Sequence, residues 1–190
     1  EAATGEWHTS EFPTPEGRCG YEGIVLRGKS AFAIVNSSAN PPPDGATTQE
    51  SSPWRTVRLA RCDDLTRGEW VTRVWLDPPY GSTGLSDMYS DGDTMYVTYS
   101  HRAADSLEAF ADAPGGNYIA RVRWDMSVET FAFPVAVGGG RIVRDSRGAF
   151  YFVGRSGDEL HVWDMDVADD FALSNERRVA GSAGKLMNYV

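Results

Sequence analysis

The chain has 190 residues, a net charge of −9 and a pI of about 4.8. This acidity argues against general nucleic-acid binding, which needs a basic face, and against adhesion to anionic membranes. No stretch approaches the roughly 18 consecutive apolar residues of a membrane-spanning helix, so we expect neither nucleic acid nor a membrane as a partner.

The predicted elements form a repeat. Residues 1–20 show no clear alternation and are expected to be an extended segment. Three units follow, over about 21–78, 84–137 and 139–181, and residues 185–190 have the pattern of the first strand of a further unit. In each unit two strands flank a tight turn that contains a glycine, namely Gly28, Gly92 or Gly148.

The segments after the second strands differ in length between the units. Long polar loops are predicted at 37–53 and 101–116, and only residues 103–110 have the pattern of a helical turn. Each unit then adds one or two further strands with alternating apolar residues.

Four strands per period favour an all-β fold, a β-propeller portion of about three four-stranded blades, over an ordinary β-sandwich. Propellers close with roughly four to eight blades. Three blades alone would expose open sheet edges. We therefore expect a second polypeptide, or a symmetric copy in a homodimer, to complete the ring.

The two cysteines, Cys19 and Cys62, bear on the compartment. An even pair in a turn-rich, Trp-rich chain fits an oxidising environment, which predicts a disulfide and secretion. Two buried free thiols are the alternative. No signal peptide is visible, and Glu-Ala-Ala-Thr at 1–4 is compatible with a terminus left by cleavage.

The main candidate site lies where second strands end, because rigid strands there present variable loops. His101 is the candidate base, since an imidazole titrates near neutrality. Three arginines, Arg102, Arg141 and Arg155, are candidates for holding a carboxylate or sulfate bidentately. The alternative is a solvated histidine beside surface ion pairs.

Other side chains would complete a catalytic set. Tyr99 or Tyr80, the latter expected in a loop between blades, would pass a proton, as β-elimination of a uronic-acid polysaccharide requires. Glu22 and Asp87 occupy early first-strand positions, and two carboxylates about 5 to 9 Å apart would serve glycoside hydrolysis. A channel carboxylate bonded to backbone amides is the alternative.

We expect no cofactor, because the sequence contains no zinc spacing, P-loop or dinucleotide fingerprint. One cluster offers the oxygen ligands that Ca²⁺ takes, and a solvated turn is its alternative reading. Its members are Asp164, Asp166, Asp169 and Asp170.

Short motifs carry a family resemblance. The segment 145–151, Asp-Ser-Arg-Gly-Ala-Phe-Tyr, resembles the Asp-box turn of sialidase-like blades, with two residues rather than one between Asp and Gly. The stretches 20–24, Gly-Tyr-Glu-Gly-Ile, and 84–87, Gly-Leu-Ser-Asp, resemble phytase-like esterase propellers. Over roughly 21–190 the blade pattern is similar to secreted propellers that process or bind carbohydrate, including polysaccharide lyases.

The resemblance and the candidate residues together predict an extracellular enzyme that acts on an acidic oligo- or polysaccharide, as a lyase or a glycoside hydrolase. A non-catalytic, lectin-like propeller is the first alternative. A Ca²⁺-dependent, phytase-like phosphoester hydrolase is the second, and a scaffold without a small ligand is the third.

Overall fold

The computed structural model describes residues 18–38, 56–133, 138–156 and 159–179. Within these ranges the chain forms twelve strands and one short helix. The strands make three four-stranded sheets whose neighbours all pair antiparallel. The expected all-β fold with four strands per unit is therefore confirmed.

Each sheet is a simple meander of consecutive strands. The first sheet contains β1 (Arg18–Arg27), β2 (Ser30–Ser38), β3 (Thr56–Cys62) and β4 (Trp70–Leu76). The second contains β5 (Tyr80–Asp91), β6 (Thr94–Ala104), β7 (Gly116–Arg123) and β8 (Val128–Ala132), with helix α1 (Leu107–Asp112) between β6 and β7. The third contains β9 (Gly138–Arg144), β10 (Phe150–Ser156), β11 (Glu159–Asp166) and β12 (Ala172–Arg178).

The structure can be compared with several of the predicted element boundaries. Helix α1 overlaps the predicted helical turn 103–110 at residues 107–110, whereas residues 103–104 belong to β6. The Ser106 hydroxyl caps the helix by accepting a hydrogen bond from the Ala109 amide at 3.1 Å. Strand β5 begins at Tyr80, which the sequence placed in a loop. The predicted strand 185–190, most of the loop 37–53 and all but the last three residues of the segment 1–20 lie outside the described residues.

In each sheet a tight turn joins the first strand to the second, and the turns of neighbouring sheets lie beside one another. Arg27, at the end of β1, pairs with Asp93 in the turn after β5. Asp91, at the end of β5, pairs with Arg144 at the end of β9 at 2.8 Å. Because each ion pair joins one turn to the next, the three first strands run side by side in the same direction.

Two apolar clusters fill the spaces between successive sheets. Between the first and second sheets the buried residues are Phe32, Ile34, Val57, Leu59, Met95, Val97, Tyr99, Ala120, Val122 and Met126. Between the second and third sheets they are Tyr96, Ile119, Ile142, Phe152, Trp163, Met165 and Phe171. The side chains of β6 alternate between the two clusters, as the pleat of a strand requires.

A repeated arginine links the sheets. Arg61 donates a hydrogen bond of 3.1 Å to the carbonyl oxygen of Trp124, and Arg121 donates one of 2.8 Å to the carbonyl oxygen of Val167. Each arginine lies on the third strand of its sheet, opposite Phe32 or Tyr96 of the second strand. The same contact thus joins the first sheet to the second and the second to the third.

The cysteine prediction receives a correction. Cys62 is a free thiol with no exposed surface, so the expected disulfide with Cys19 is not formed. The thiol sits at the end of β3, where it fills space as a small apolar side chain.

Candidate functional site

An open groove lies at the end of the second sheet that is opposite the Gly92 turn. Its volume is about 370 Å³. Hydroxyl, amide, imidazole and guanidinium groups line it together with two glycines. The lining residues are Ser82, Ser100, His101, Arg102, Gly115, Gly116 and Asn117.

His101 is half-buried near the end of β6, opposite Thr83 of β5. Its Nδ1 lies 2.9 Å from the Thr83 hydroxyl oxygen. Burial lowers the pKa of His101 below the 6.5 of a free imidazole, and a backbone hydrogen bond with Ser82 opposes that shift in part. The ring is therefore neutral near pH 7.

Arg102 is held by an aromatic contact. Its guanidinium carbon lies 4.2 Å from the ring centroid of Phe110, a buried residue of α1. A cation over an aromatic face is attracted by the ring quadrupole. The helix thus holds the charged end of Arg102, which lines the same groove as His101.

Tyr99, a predicted proton donor, lies in the core instead. It is 4% exposed, its ring stacks on Tyr118 at 5.4 Å and it meets Trp75 edge-on at 5.0 Å. Its hydroxyl lies 3.5 Å from the Thr130 hydroxyl. Desolvation raises the pKa of Tyr99 to about 12, so it keeps its proton and packs between the first two sheets.

Asp87 ties two sheets together. Its Oδ2 accepts a hydrogen bond of 3.0 Å from the backbone amide of Ile142 on β9. Nearby, the Thr98 hydroxyl donates a bond of 2.7 Å to the carbonyl oxygen of Gly140. This is the arrangement that the sequence left open as the alternative, a carboxylate satisfied by a backbone amide.

The other predicted carboxylate, Glu22, occupies a different register position. In both β1 and β5 the pairing shifts by one residue, so that Gly23 corresponds to Asp87, and Glu22 corresponds to Ser86. The side chain of Glu22 lies outside the described part of the structure. The predicted separation of the Glu22 and Asp87 carboxylates therefore lies outside the described part of the structure.

The remaining predicted residues do not line the groove. Arg141 and Arg155 are exposed on the third sheet, on β9 and β10. Tyr80 is 6% exposed at the start of β5 and belongs to the core rather than to a loop. Among the seven predicted site residues whose side chains the structure describes, only His101 and Arg102 line this groove.

Sequence reasoning missed the polar partners on the neighbouring strands. Ser100 pairs in register with Asn117 of β7 and with Gly84 of β5. The two glycines that precede Asn117 are the signal that the sequence offered for an open groove. In the structure, a Cβ atom at Gly115 would meet nothing within 4 Å. Strand register, which brings these residues together, is not written in any short motif.

His161 is a second histidine that the sequence did not single out. It is 4% exposed, its Nδ1 lies 2.6 Å from Glu176 and its ring stacks on Trp163 at 5.5 Å. It is enclosed within the third sheet and does not open onto the His101–Arg102 groove.

The Asp cluster considered for Ca²⁺ is engaged in other contacts. Asp164 pairs with Arg177 at 2.5 Å, and Asp166 accepts backbone hydrogen bonds from the amides of Ala168 and Asp169. In the part of the chain that the structure describes, no group of three or more His, Cys, Asp or Glu side chains is arranged to hold a metal ion.

No protein-family model, curated protein or solved structure matches this chain. The only helix in the described ranges, α1, is too short to cross a membrane.

Proposed function

We propose that this chain is a three-blade portion of a β-propeller that binds an acidic saccharide in the groove at His101 and Arg102. The observation that carries the proposal is the groove itself. Its lining includes a guanidinium held over Phe110, a neutral imidazole, and hydroxyl and amide groups.

The charge of the site argues for an anionic ligand. Arg102 offers donors in a planar fork that matches a carboxylate or sulfate. The hydroxyls of Ser82 and Ser100 and the amide of Asn117 match the donors and acceptors of sugar hydroxyl groups. A uronic acid or a sulfated sugar presents both kinds of group on one ring.

The geometry favours binding over catalysis. Tyr99 is buried with a raised pKa, and Asp87 is bonded to the Ile142 amide. Neither lines the groove, so neither of these two predicted partners stands beside His101 as an acid or a second carboxylate. A lectin-like role needs only the groups that are present.

A polysaccharide lyase remains the second candidate, and one observation favours it. Burial keeps His101 neutral near pH 7, which is the state that a general base needs. A further blade would have to supply the acid.

The architecture supports the propeller part of the proposal. First strands lie side by side, and the same arginine contact joins successive sheets. Further blades from another polypeptide or a second copy would cover the two outer sheets. We also propose that the protein is secreted, and the proposed saccharide ligand is the support for this.

Calorimetric titration with a trisaccharide of galacturonic acid tests the binding role, with the neutral galactose trisaccharide as the ligand control. Arg102→Gln should weaken binding about 10- to 100-fold, the value of one charge-assisted hydrogen bond. Arg67→Gln is the matched control, because Arg67 lies in the turn after β3, away from the groove.

Equal binding of the acidic and neutral sugars, or an Arg102→Gln protein that binds as well as the unaltered one, would overturn the proposal. Ultraviolet detection of an unsaturated product, abolished by His101→Ala, would replace it with the lyase.

A further inference from the structure

The turn between the third and fourth strands has one unusual backbone position in every sheet. Gly68, Met126 and Phe171 adopt φ values of +66°, +67° and +62°. Each lies two residues before a particular residue of the fourth strand. In the three sheets, that fourth-strand residue pairs with Cys62, Val122 and Met165 of the third strand, respectively. A left-handed conformation suits glycine and strains a bulky side chain by about 1–3 kcal/mol.

Met126 and Phe171 occupy this strained position because their side chains plug the preceding sheet. Met126 is 8% exposed in the first apolar cluster, and its carbonyl oxygen accepts a hydrogen bond of 3.0 Å from Arg73 of β4. Phe171 is 1% exposed and lies 5.7 Å from Tyr96 and 5.0 Å from Phe131 of the second sheet.

The third sheet carries the corresponding receiving face on its far side. Phe150 and Phe152 pack towards the second sheet, so Tyr151 between them points the other way. Tyr151 pairs in register with Asp164 as Tyr96 does with Arg121. The positions that receive Phe171 in the second sheet therefore have counterparts on this face.

An open groove of about 640 Å³ lies at that face. Three of its lining residues are Tyr151, Asp164 and Arg177. By strand register they correspond, in that order, to Tyr96, Arg121 and Phe131 of the second sheet. Arg177 also corresponds to Arg73 of the first sheet. Arg73 pairs with Leu59 and Arg177 pairs with Val162, and these two third-strand residues occupy equivalent positions.

We propose that this groove receives a large apolar side chain from the strand 3–4 turn of a further four-stranded sheet that does not belong to a second copy of this chain. Arg177 then donates to the carbonyl oxygen of the inserted residue, as Arg73 does to Met126. Asp164 accepts from the incoming backbone, since it replaces a donor arginine. The inference rests on the proposed propeller architecture and is independent of the saccharide groove.

A second copy of this chain does not fit as the occupant. Its first sheet would bring Gly68 to the groove, a residue with no side chain to insert. In the first sheet, Asp64 occupies the position of Trp124 and Val167, whose carbonyl oxygens accept hydrogen bonds from the linking arginines. A second copy would therefore bring Asp64 close to the carboxylate of Asp164. Like charges and an unfilled space argue for a different partner.

The probe for the test is a cyclised hairpin peptide with the sequence of residues 119–131, which carries the Met126 turn. Its matched control has Met126→Gly and so mimics the first sheet. Backbone amide spectra of the isotope-labelled full chain are recorded during titration with each peptide. We expect saturable shifts at Tyr151, Asp164 and Arg177 with the first peptide. The second peptide should bind about 10- to 150-fold more weakly, which is the affinity that the burial of one Met side chain contributes.

Protein variants complete the design. Arg177→Gln should weaken peptide binding, while Arg67→Gln, on the first sheet, should not. Peptides that bind equally with Met and Gly, or shifts confined to another surface, would overturn the docking assignment. A dimer of the unaltered chain at high concentration, disrupted by Arg177→Gln, would show that a second copy is the occupant and would also overturn it. Loss of acidic-sugar binding, by contrast, would leave this inference standing.

Discussion

The guanidinium of Arg121 donates a hydrogen bond of 2.8 Å to the carbonyl oxygen of Val167, which joins the second sheet to the third. The same side chain pairs with Glu129 at 2.7 Å and lies 5.1 Å from the ring centroid of Phe171. One residue therefore meets a carbonyl, a carboxylate and an aromatic plug at the junction.

Replacing Arg121 should loosen that junction. Arg121→Gln should lower the free energy of unfolding by about 1.5–3 kcal/mol, because the Val167 carbonyl loses a charged donor. Urea unfolding measures the change. Arg123→Gln is the control: its more exposed side chain pairs with the same Glu129 at 2.9 Å, and its loss should cost at most about 1 kcal/mol. Equal effects of the two changes would contradict the linking role.

Gly140 should tolerate no side chain. A Cβ atom there would lie 1.9 Å from Cζ of Phe152, whose ring is 2% exposed and has no room to move. Gly140→Ala should therefore destabilise the protein by about 3 kcal/mol. Gly115→Ala, where a Cβ would meet nothing within 4 Å, should change stability by no more than about 0.5 kcal/mol. Thermal unfolding of the two variants compares them, and a stable Gly140→Ala protein would refute the packing described.

The imidazole of His101 should titrate below 6.5, because burial disfavours its charged form. The unfolded chain then binds a proton more readily than the folded chain. The contribution to stability is present above about pH 6.5 and is lost as the pH falls through the window below it. Proton NMR of the ring hydrogens measures the pKa, and His101→Gln identifies the resonance. A pKa at or above 6.5 would contradict the buried position.

Phe171 should be worth more to stability than its strained backbone costs. Phe171→Gly relieves the left-handed conformation but empties the space against Tyr96 and Phe131, so we expect a net loss of about 2–4 kcal/mol. Asp170→Gly, an exposed neighbour with φ of +45°, should be neutral or stabilising by up to about 1 kcal/mol. Chemical denaturation distinguishes the two, and a stabilised Phe171→Gly protein would argue against the plug.

The sequence predicted the units well, for reasons that are local. Glycine turns and alternating apolar residues mark hairpins, and Gly28, Gly92 and Gly148 all have positive φ, at +59°, +62° and +89°. The helical turn near Ser106 followed from residues that lack strand alternation. These signals depend on a few neighbouring residues and survive in any tertiary setting.

The candidate site was harder to predict because it depends on register and burial. His101 and Arg102 meet at the groove, but Tyr99 alternates into the core and Asp87 turns to the Ile142 amide. A slip of one residue moves a side chain to the opposite face of a strand. No spacing in the sequence distinguishes a groove residue from its buried neighbour when the strand is covered on both faces.

The disulfide was predicted from an even number of cysteines in a turn-rich, Trp-rich chain. Cys62 is instead a free thiol that is fully buried, because it ends β3 among apolar neighbours. Parity of cysteines carries no information on the distance between their side chains.

We propose that these three sheets belong to a larger ring in which a further sheet, not one of a second copy, docks beside Asp164. Cross-linking mass spectrometry of the protein purified from its natural source tests this most directly. We expect Asp164 and the neighbouring Asp166 to be cross-linked to a sequence that lies outside these 190 residues. Cross-links that join these two residues only to sequences within the 190 would contradict the proposal.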